Sequence, residues 1–202
     1  MGRKVNVIGV GMVPFAKPGQ SEDYNVMAAK AIKTALADGG VEFGEVEQAV
    51  AGYVFGDSTC GQRAVYDVGL TGIPVYNVNN NCSTGSSALM LAKQMVEGGI
   101  VECALAVGFE QMKKGALGSA WDDRPNPLGL HVNVMNDSQG FTSAPPAAQM
   151  FGGAGREYRW KYGTKRETFA KVTAQARQHA AKNPYALFRE RLSVDEKLAS
   201  PE

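Results

Sequence analysis

Long hydrophobic runs are missing from this sequence, and that sets its first limits. No stretch approaches the roughly 20 apolar residues a membrane-spanning helix needs, and the apolar part of the opening MGRKVNVIGVGM is too short for a secretory signal. Position 6 carries no hydroxyl for a myristoylation signal, and the ending SPE is not a peroxisomal tripeptide. A cytoplasmic chain without a membrane span is the expectation. Cysteine is scarce as well: Cys60, Cys82 and Cys103 are odd in number and far apart, which argues against a disulfide framework or a zinc knuckle and fits free thiols. Neither sign of charge dominates, with 21 Lys and Arg against 20 Asp and Glu, so no broad surface for nucleic acid is expected. A local basic patch for a small phosphate ligand stays open. No Ser-His-Asp order, paired-carboxylate spacing or metal-ligand cluster is visible.

What is present can bury a sizeable core: 202 residues, 44% of them hydrophobic, suffice for one or two domains. Val5 to Val10 reads as a buried strand. Gly9 and Gly11 after it look like the start of a dinucleotide-binding turn, but Pro14 replaces the third glycine and the next helix starts too late. From Asp23 to Gly39, Tyr24, Met27, Ala28, Ala31, Ile32, Ala35 and Leu36 recur at helical spacing. Val46 to Phe55 supplies a second strand, Ile73 to Asn79 a third and Cys103 to Phe109 a fourth, with Ser58 to Gly72 as loop plus short helix. Strands alternating with helices predict an α/β fold with a parallel sheet. Cys103 reads as core.

After Glu110 the texture changes. Gln111 to Pro146 is rich in glycine, proline and asparagine and reads as long loops. Thr164 with Glu167 forms a predicted capping box ahead of Phe169, Val172, Thr173 and Ala176, and Ser193 with Glu196 forms another before a last helix that Pro201 ends. This final stretch adds no strand, which leaves a sheet edge unpaired. Either a partner completes the fold or the chain is part of a longer one.

The stretch with the clearest chemistry is Val75 to Ala92, VYNVNNNCSTGSSALMLA. A strand turning abruptly into a helix leaves the first helical N–H groups unpaired, and that positive end favours an anion such as a thiolate. Asn79, Asn80 and Asn81 bring turn and cap chemistry. The following residues, Ser83 to Ala88, are all small, so a ligand or another segment can approach the backbone, and the helix Cys82 to Glu97 is expected to lie buried between layers. Cys82 is thus a candidate nucleophile, with a buried structural cysteine as the alternative. Its proton-handling partner is not evident. His131 lies in a loop-rich stretch and His179 in the Lys- and Arg-rich tail of a helix.

NVNNNCSTGSSAL, with AGYVFGDSTCGQRAVY before it and ECALAVGFEQMKKG after it, resembles the N-terminal half of a thiolase, in the sterol carrier protein-type branch. The segment AAQMFGGAGREYRWKYGTKRETFAKV resembles the same branch. The resemblance implies the thiolase-like layered fold: a sheet-and-helix domain over residues 1–110, its last strand missing, and a loop domain over residues 111–202 covering the coenzyme A site. It implies acyl transfer between coenzyme A thioesters through an acyl-Cys82 intermediate, with coenzyme A as co-substrate and no permanently bound cofactor. Met150 matches a residue near the pantetheine arm, while Gln149 stands where the family has histidine. It also implies a homodimer or tetramer, with Gln62, Arg63 and Tyr66 near the contact.

The family's activating histidine, second cysteine and oxyanion-hole glycines belong to a second half with no counterpart here, so the chain alone is expected to be inactive. Two other readings stand beside this one. One is a thiolase-like retro-aldolase that cleaves steroid side-chain acyl-CoA with an acyl-CoA-binding partner protein. The other is a non-catalytic assembly fragment.

Overall fold

Small residues at the centre of the sheet decide how closely everything else packs. Strand β1, Gln48–Gly52, is buried along its whole length. Its side chains alternate between two cores, as a strand's must. Ala49 and Ala51 face a cluster with Ala28, Ile32, Ala64, Val65 and Val107. Val50 faces the other way, against Ala88 and Ala92. In this computed structural model residues 2–113 and 121–200 are described, and they fall into two compact units, Met1–Ala116 and Leu117–Glu202.

In the first unit β1 lies between β2, Val75–Val78, and β3, Ala104–Gly108, in the order β2-β1-β3, and both pairings are parallel. Helices α1, Tyr24–Gly39, and α2, Cys60–Tyr66, supply the cluster on one face of the sheet, and α3, Thr84–Glu97, covers the other. The chain therefore leaves β1 toward one face and leaves the neighbouring β2 toward the opposite face. The loops part at the carboxyl ends of those two strands, which in open α/β sheets is where ligands bind. The four parallel strands read from the sequence become three in the sheet among the described residues.

The missing one is the expected strand Val5 to Val10. Its backbone makes no sheet pairing, and Val7 and Val10 are 71% and 66% exposed. The segment lies along α1 instead. A side chain at Gly9 or Gly11 would collide with the Ala35 or Ala31 carbonyl oxygen, the Val10 N–H donates to Asp38 Oδ2 at 2.9 Å, and the Arg3 N–H donates to the Glu97 carbonyl at 3.1 Å. The two glycines thus permit close approach to a helix. The burial expected for α3 is also corrected. Only its small face, Thr84, Ala88 and Ala92, is buried, while Leu89 and Met90 are exposed, because among the described residues no second layer covers that side.

The second unit is helical: α4, Gly129–Gln139; α5, Pro146–Tyr162; α6, Arg166–Ala180; and α7, Val194–Leu198. Two of these depart from expectation. Helix α4 occupies part of the predicted loop, and α5 runs through Gly152, Gly153 and Gly155, started by Pro146 in the first turn, where proline costs no hydrogen bond. The Ser193 and Glu196 box forms, each side chain bonding the other's backbone N–H at 3.1 and 2.8 Å. The Thr164 box does not. Helix α6 starts at Arg166 with Lys165 as its N-cap, which puts Thr164 one residue too early to cap it. Pro201 lies outside the described residues.

If Gly9 is a contact surface for α1, Gly9→Ala forces the strap off the helix. Urea unfolding should then show a loss of about 1–3 kcal/mol, the usual cost of overpacking, whereas Gly19→Ala, where nothing lies within 4 Å of the added carbon, tests backbone conformation alone.

Candidate functional site: the Cys82 turn

Between β2 and α3 the chain makes a single turn of 3-10 helix, Asn81–Ser83, with Cys82 at its middle. Asn81 sits at φ 46°, in the left-handed region that asparagine tolerates better than most residues. Side chains hold that turn. The Asn79 carboxamide oxygen accepts from the Asn81 N–H at 3.1 Å, the Ser83 hydroxyl donates to the Asn80 carbonyl at 2.8 Å, and Asn80 Nδ2 donates to the Ser87 hydroxyl at 3.0 Å.

Thr84 is the anchor. Its hydroxyl accepts from the Asn80 N–H at 2.8 Å and donates to the Asn81 carbonyl at 2.6 Å, with the side chain only 6% exposed. Its methyl group rests on the end of β1, where a side-chain carbon added at Gly52 would come within 2.8 Å of Thr84 Cγ2. In the sequence Thr84 and Ser87 stand out only as small residues. Their hydroxyls do the bonding, and the signal that could have found them is their spacing of four and seven residues from Asn80.

The result is an exposed, free Cys82 thiol on a rigid turn at the start of α3. Among the described residues nothing buries this thiol. Burial instead describes Cys60. Cys103 is half-buried, and burial, with Glu45 and Glu47 nearby, pushes its thiol pKa up.

Other parts of the sequence reading fall elsewhere. Gln62 is used internally: its amide nitrogen donates to the Val75 carbonyl at 3.0 Å and its oxygen accepts from Asn77 Nδ2 at 2.7 Å. Asn77 Oδ1 in turn accepts from the Gly61 N–H at 2.9 Å, so these two side chains fasten α2 to β2. Arg63 pairs with Asp67 at 2.7 Å, and Tyr66 is exposed. Met150 is half-buried on α5 in the second unit, where His131 and His179 are exposed on α4 and α6. Gln149 serves the turn before α5, its oxygen accepting from the Thr142 N–H and its nitrogen donating to the Thr142 carbonyl, each at 3.1 Å.

Near the same strand ends lies Glu110, which no sequence motif marks. The Glu110 carboxylate accepts from the Val54 and Phe55 N–H groups at 3.1 and 2.9 Å and so pins the loop after β1. That loop borders an open cavity of about 410 Å³ lined in part by Tyr24, Asp57, Cys60, Arg63 and Gln111. Tyr24 and Tyr53 stack on Phe109 beside it. A hydrogen bond with the Cys60 thiol, then burial, raises the Tyr24 pKa, and burial raises that of Tyr53. Cys82 is not among the lining residues. Among the described residues no cluster of His, Cys, Asp and Glu could hold a metal ion, and no helix is long and apolar enough to cross a membrane.

Comparison with known proteins fits this arrangement of a parallel sheet, a buried strand end and an exposed cysteine at a helix start. The family described as "Thiolase, N-terminal domain" matches residues 5–196. The chain belongs to the thiolase family. Sterol carrier protein 2 of Gallus gallus is 52% identical to it across 99% of the chain and 37% of that relative, and sterol carrier protein 2 of Homo sapiens is equally similar. The chain thus spans little more than a third of the length of these relatives.

Among solved structures, the Ltp2-ChsH2(DUF35) aldolase superposes with a TM-score of 0.72 at 22% identity, over 96% of this chain and 48% of that one. The acetyl-CoA acetyltransferase of Bacillus anthracis superposes with a TM-score of 0.59 at 20% identity, over 87% of this chain and 45% of that one. At such identities these two bear on the fold alone, which is the thiolase-like α/β fold.

Thr84→Val keeps the methyl contact and removes the hydroxyl, leaving the Asn80 N–H without its acceptor. Urea unfolding should show a loss of about 1–3 kcal/mol. Peptide mapping after alkylation with iodoacetamide should find Cys82 labelled first, with Cys103 following only toward higher pH because its thiolate forms later.

Proposed function

We propose that this chain is the nucleophile-bearing portion of a thiolase-type acyltransferase acting on 3-oxoacyl-CoA. The observation that supports it most is the exposed Cys82 thiol, held by Asn79, Asn80, Asn81, Thr84 and Ser87 at the start of α3. In this reading the Cys82 thiolate attacks the 3-keto carbon. The bond between C2 and C3 breaks, and its electron pair passes to C2, which takes up a proton as acetyl-CoA leaves. The acyl group, now a Cys82 thioester, is taken by the thiolate of free coenzyme A, which regenerates Cys82.

The unpaired N–H groups at the start of α3 favour negative charge beside the turn, at the thiolate or the tetrahedral oxygen. The exposed face of α3 and the small residues Gly85 and Ser86 leave room for a long thioester. Among the described residues of the first unit there is no histidine to take the thiol proton. We therefore assign the base and the remaining oxyanion donors to the longer portion of the sterol carrier protein 2 relatives that this chain does not span. Within the second unit, Met150 is the residue we place beside the pantetheine arm. The subunit contact belongs, in the same reading, to the free edge of β2 with Arg63 and Tyr66.

Prolonged incubation with acetyl-CoA should add one acetyl group, mapped by mass spectrometry to Cys82 and lost in Cys82→Ala. Label on Cys60 or Cys103 instead would sink the assignment. Thiolysis of acetoacetyl-CoA by this chain alone should be at least about 100-fold slower than by the chain joined to the C-terminal thiolase portion of a sterol carrier protein 2, as expected when oxyanion donors are absent. Cleavage of a steroid side-chain acyl-CoA that survives Cys82→Ala would point to retro-aldol chemistry.

A further inference from the structure

Two glycines meet beneath the first turn of α3. Gly52 ends β1 and Gly108 ends β3, and the two stand opposite each other in the parallel ladder. A side-chain carbon on Gly52 would fall 2.8 Å from Thr84 Cγ2 and 3.2 Å from the Thr84 carbonyl oxygen, the first well inside the closest approach of two carbon atoms. One on Gly108 would meet Gly85 Cα at 3.8 Å, an ordinary contact. Of the two positions, only Gly52 is closed to alanine by the helix.

The sheet is the side of this contact that resists displacement. Gly52 is paired on both edges, with Val78 of β2 and Gly108 of β3. Its carbonyl accepts from the Phe109 N–H at 3.1 Å, and the next residue, Tyr53, donates its N–H to the Val78 carbonyl at 3.3 Å. Moving the strand would break such bonds inside a buried sheet, where their loss costs most. The outer side of the helix start is open, since Gly85, Ser86, Leu89 and Met90 are exposed. A carbon added at Gly52 therefore pushes Thr84 and the first turn of α3 away from the sheet.

What moves with Thr84 is the turn that carries Cys82. The threonine hydroxyl accepts from the Asn80 N–H and donates to the Asn81 carbonyl. Those two bonds bracket the residue held in the left-handed region, Asn81, and Cys82 follows it directly. A thiolate is favoured by the unpaired N–H groups of a helix start only within the first turn and when it points toward them. Displacing Thr84 alters both the distance and the direction.

We propose that Gly52 is a positioning residue for Cys82: its missing side chain sets how deep Thr84 sits, and Thr84 in turn sets the reactivity of the thiol. The proposal rests on the reading of Cys82 as the nucleophile, but alkylation tests it without any acyl transfer, so either can fail while the other stands. The rate of Cys82 alkylation by iodoacetamide, followed by peptide mass spectrometry on the full chain, should fall about threefold or more in Gly52→Ala and stay unchanged in Gly108→Ala. Adding Thr84→Ser to Gly52→Ala removes the clashing methyl and keeps the hydroxyl bonds. That double variant should recover most of the rate, which a general loosening of the sheet would not allow. Circular dichroism follows folding. If Gly52→Ala does not fold, Thr84→Val takes its place: it keeps the methyl against Gly52, cuts the hydroxyl link and should slow alkylation as much. An unchanged or faster rate in the variant tested, an equal loss in Gly108→Ala, or no recovery with Thr84→Ser overturns the proposal.

Discussion

The contact between Thr84 and Gly52 fixes the position of everything else at the site. Helix α3 can lie this close to the sheet because β1 ends in a residue without a side chain, and a single added carbon there would fall within 2.8 Å of the threonine methyl. The hydroxyl of the same threonine bonds the backbone on either side of the peptide joining Asn80 and Asn81. One buried side chain thus transmits the position of the central strand to the turn that carries Cys82. Buried groups in fully bonded networks define position well, because any displacement leaves a donor or acceptor unsatisfied.

The same economy of side-chain volume runs through the first unit. Ala49, Ala51, Ala28, Ala64, Ala88 and Ala92 make most of its two cores. Small residues contribute little apolar area each; what they permit is close approach of helix to sheet. Polar fasteners supply orientation in turn: Gln62 with Asn77 between α2 and β2, and Glu110 on the loop after β1. Glu110 sits at the carboxyl ends of the strands, where the two loops part, while Gln62 reaches back to Val75 at the start of β2. A rigid frame of this kind suits a nucleophile, since catalytic groups gain most when their geometry is set before the substrate arrives.

Much of this was legible in order. The strand expected within Val46 to Phe55, the helical spacing from Tyr24 to Leu36 and the family pattern at NVNNNCSTGSSAL all survive as β1, α1 and the Cys82 turn. The strand expected at Val5 to Val10 does not, because β-branched composition states a preference for extended backbone and does not name the partner. In the fold that extended segment is taken up by α1 through Gly9 and Gly11. Helix α5 was hidden by three glycines, whose propensity cost is outweighed by tertiary contacts such as Gly153 against Gln139. The Thr164 box failed for a smaller reason, a helix that begins one residue later than its signal.

What the sequence determined by itself was local and chemical: a parallel α/β order, three unpaired thiols, and a cysteine between three asparagines and a run of small residues. What only the tertiary structure decided was which thiol meets solvent and what holds it there. Exposure of Cys82 and burial of Cys60 depend on which helix lies over which strand end, and the anchoring of the turn depends on Gly52, which is 32 residues from Thr84 in the chain. Close packing links such distant residues through shape and hydrogen bonding, and neither is a property of any single stretch of sequence.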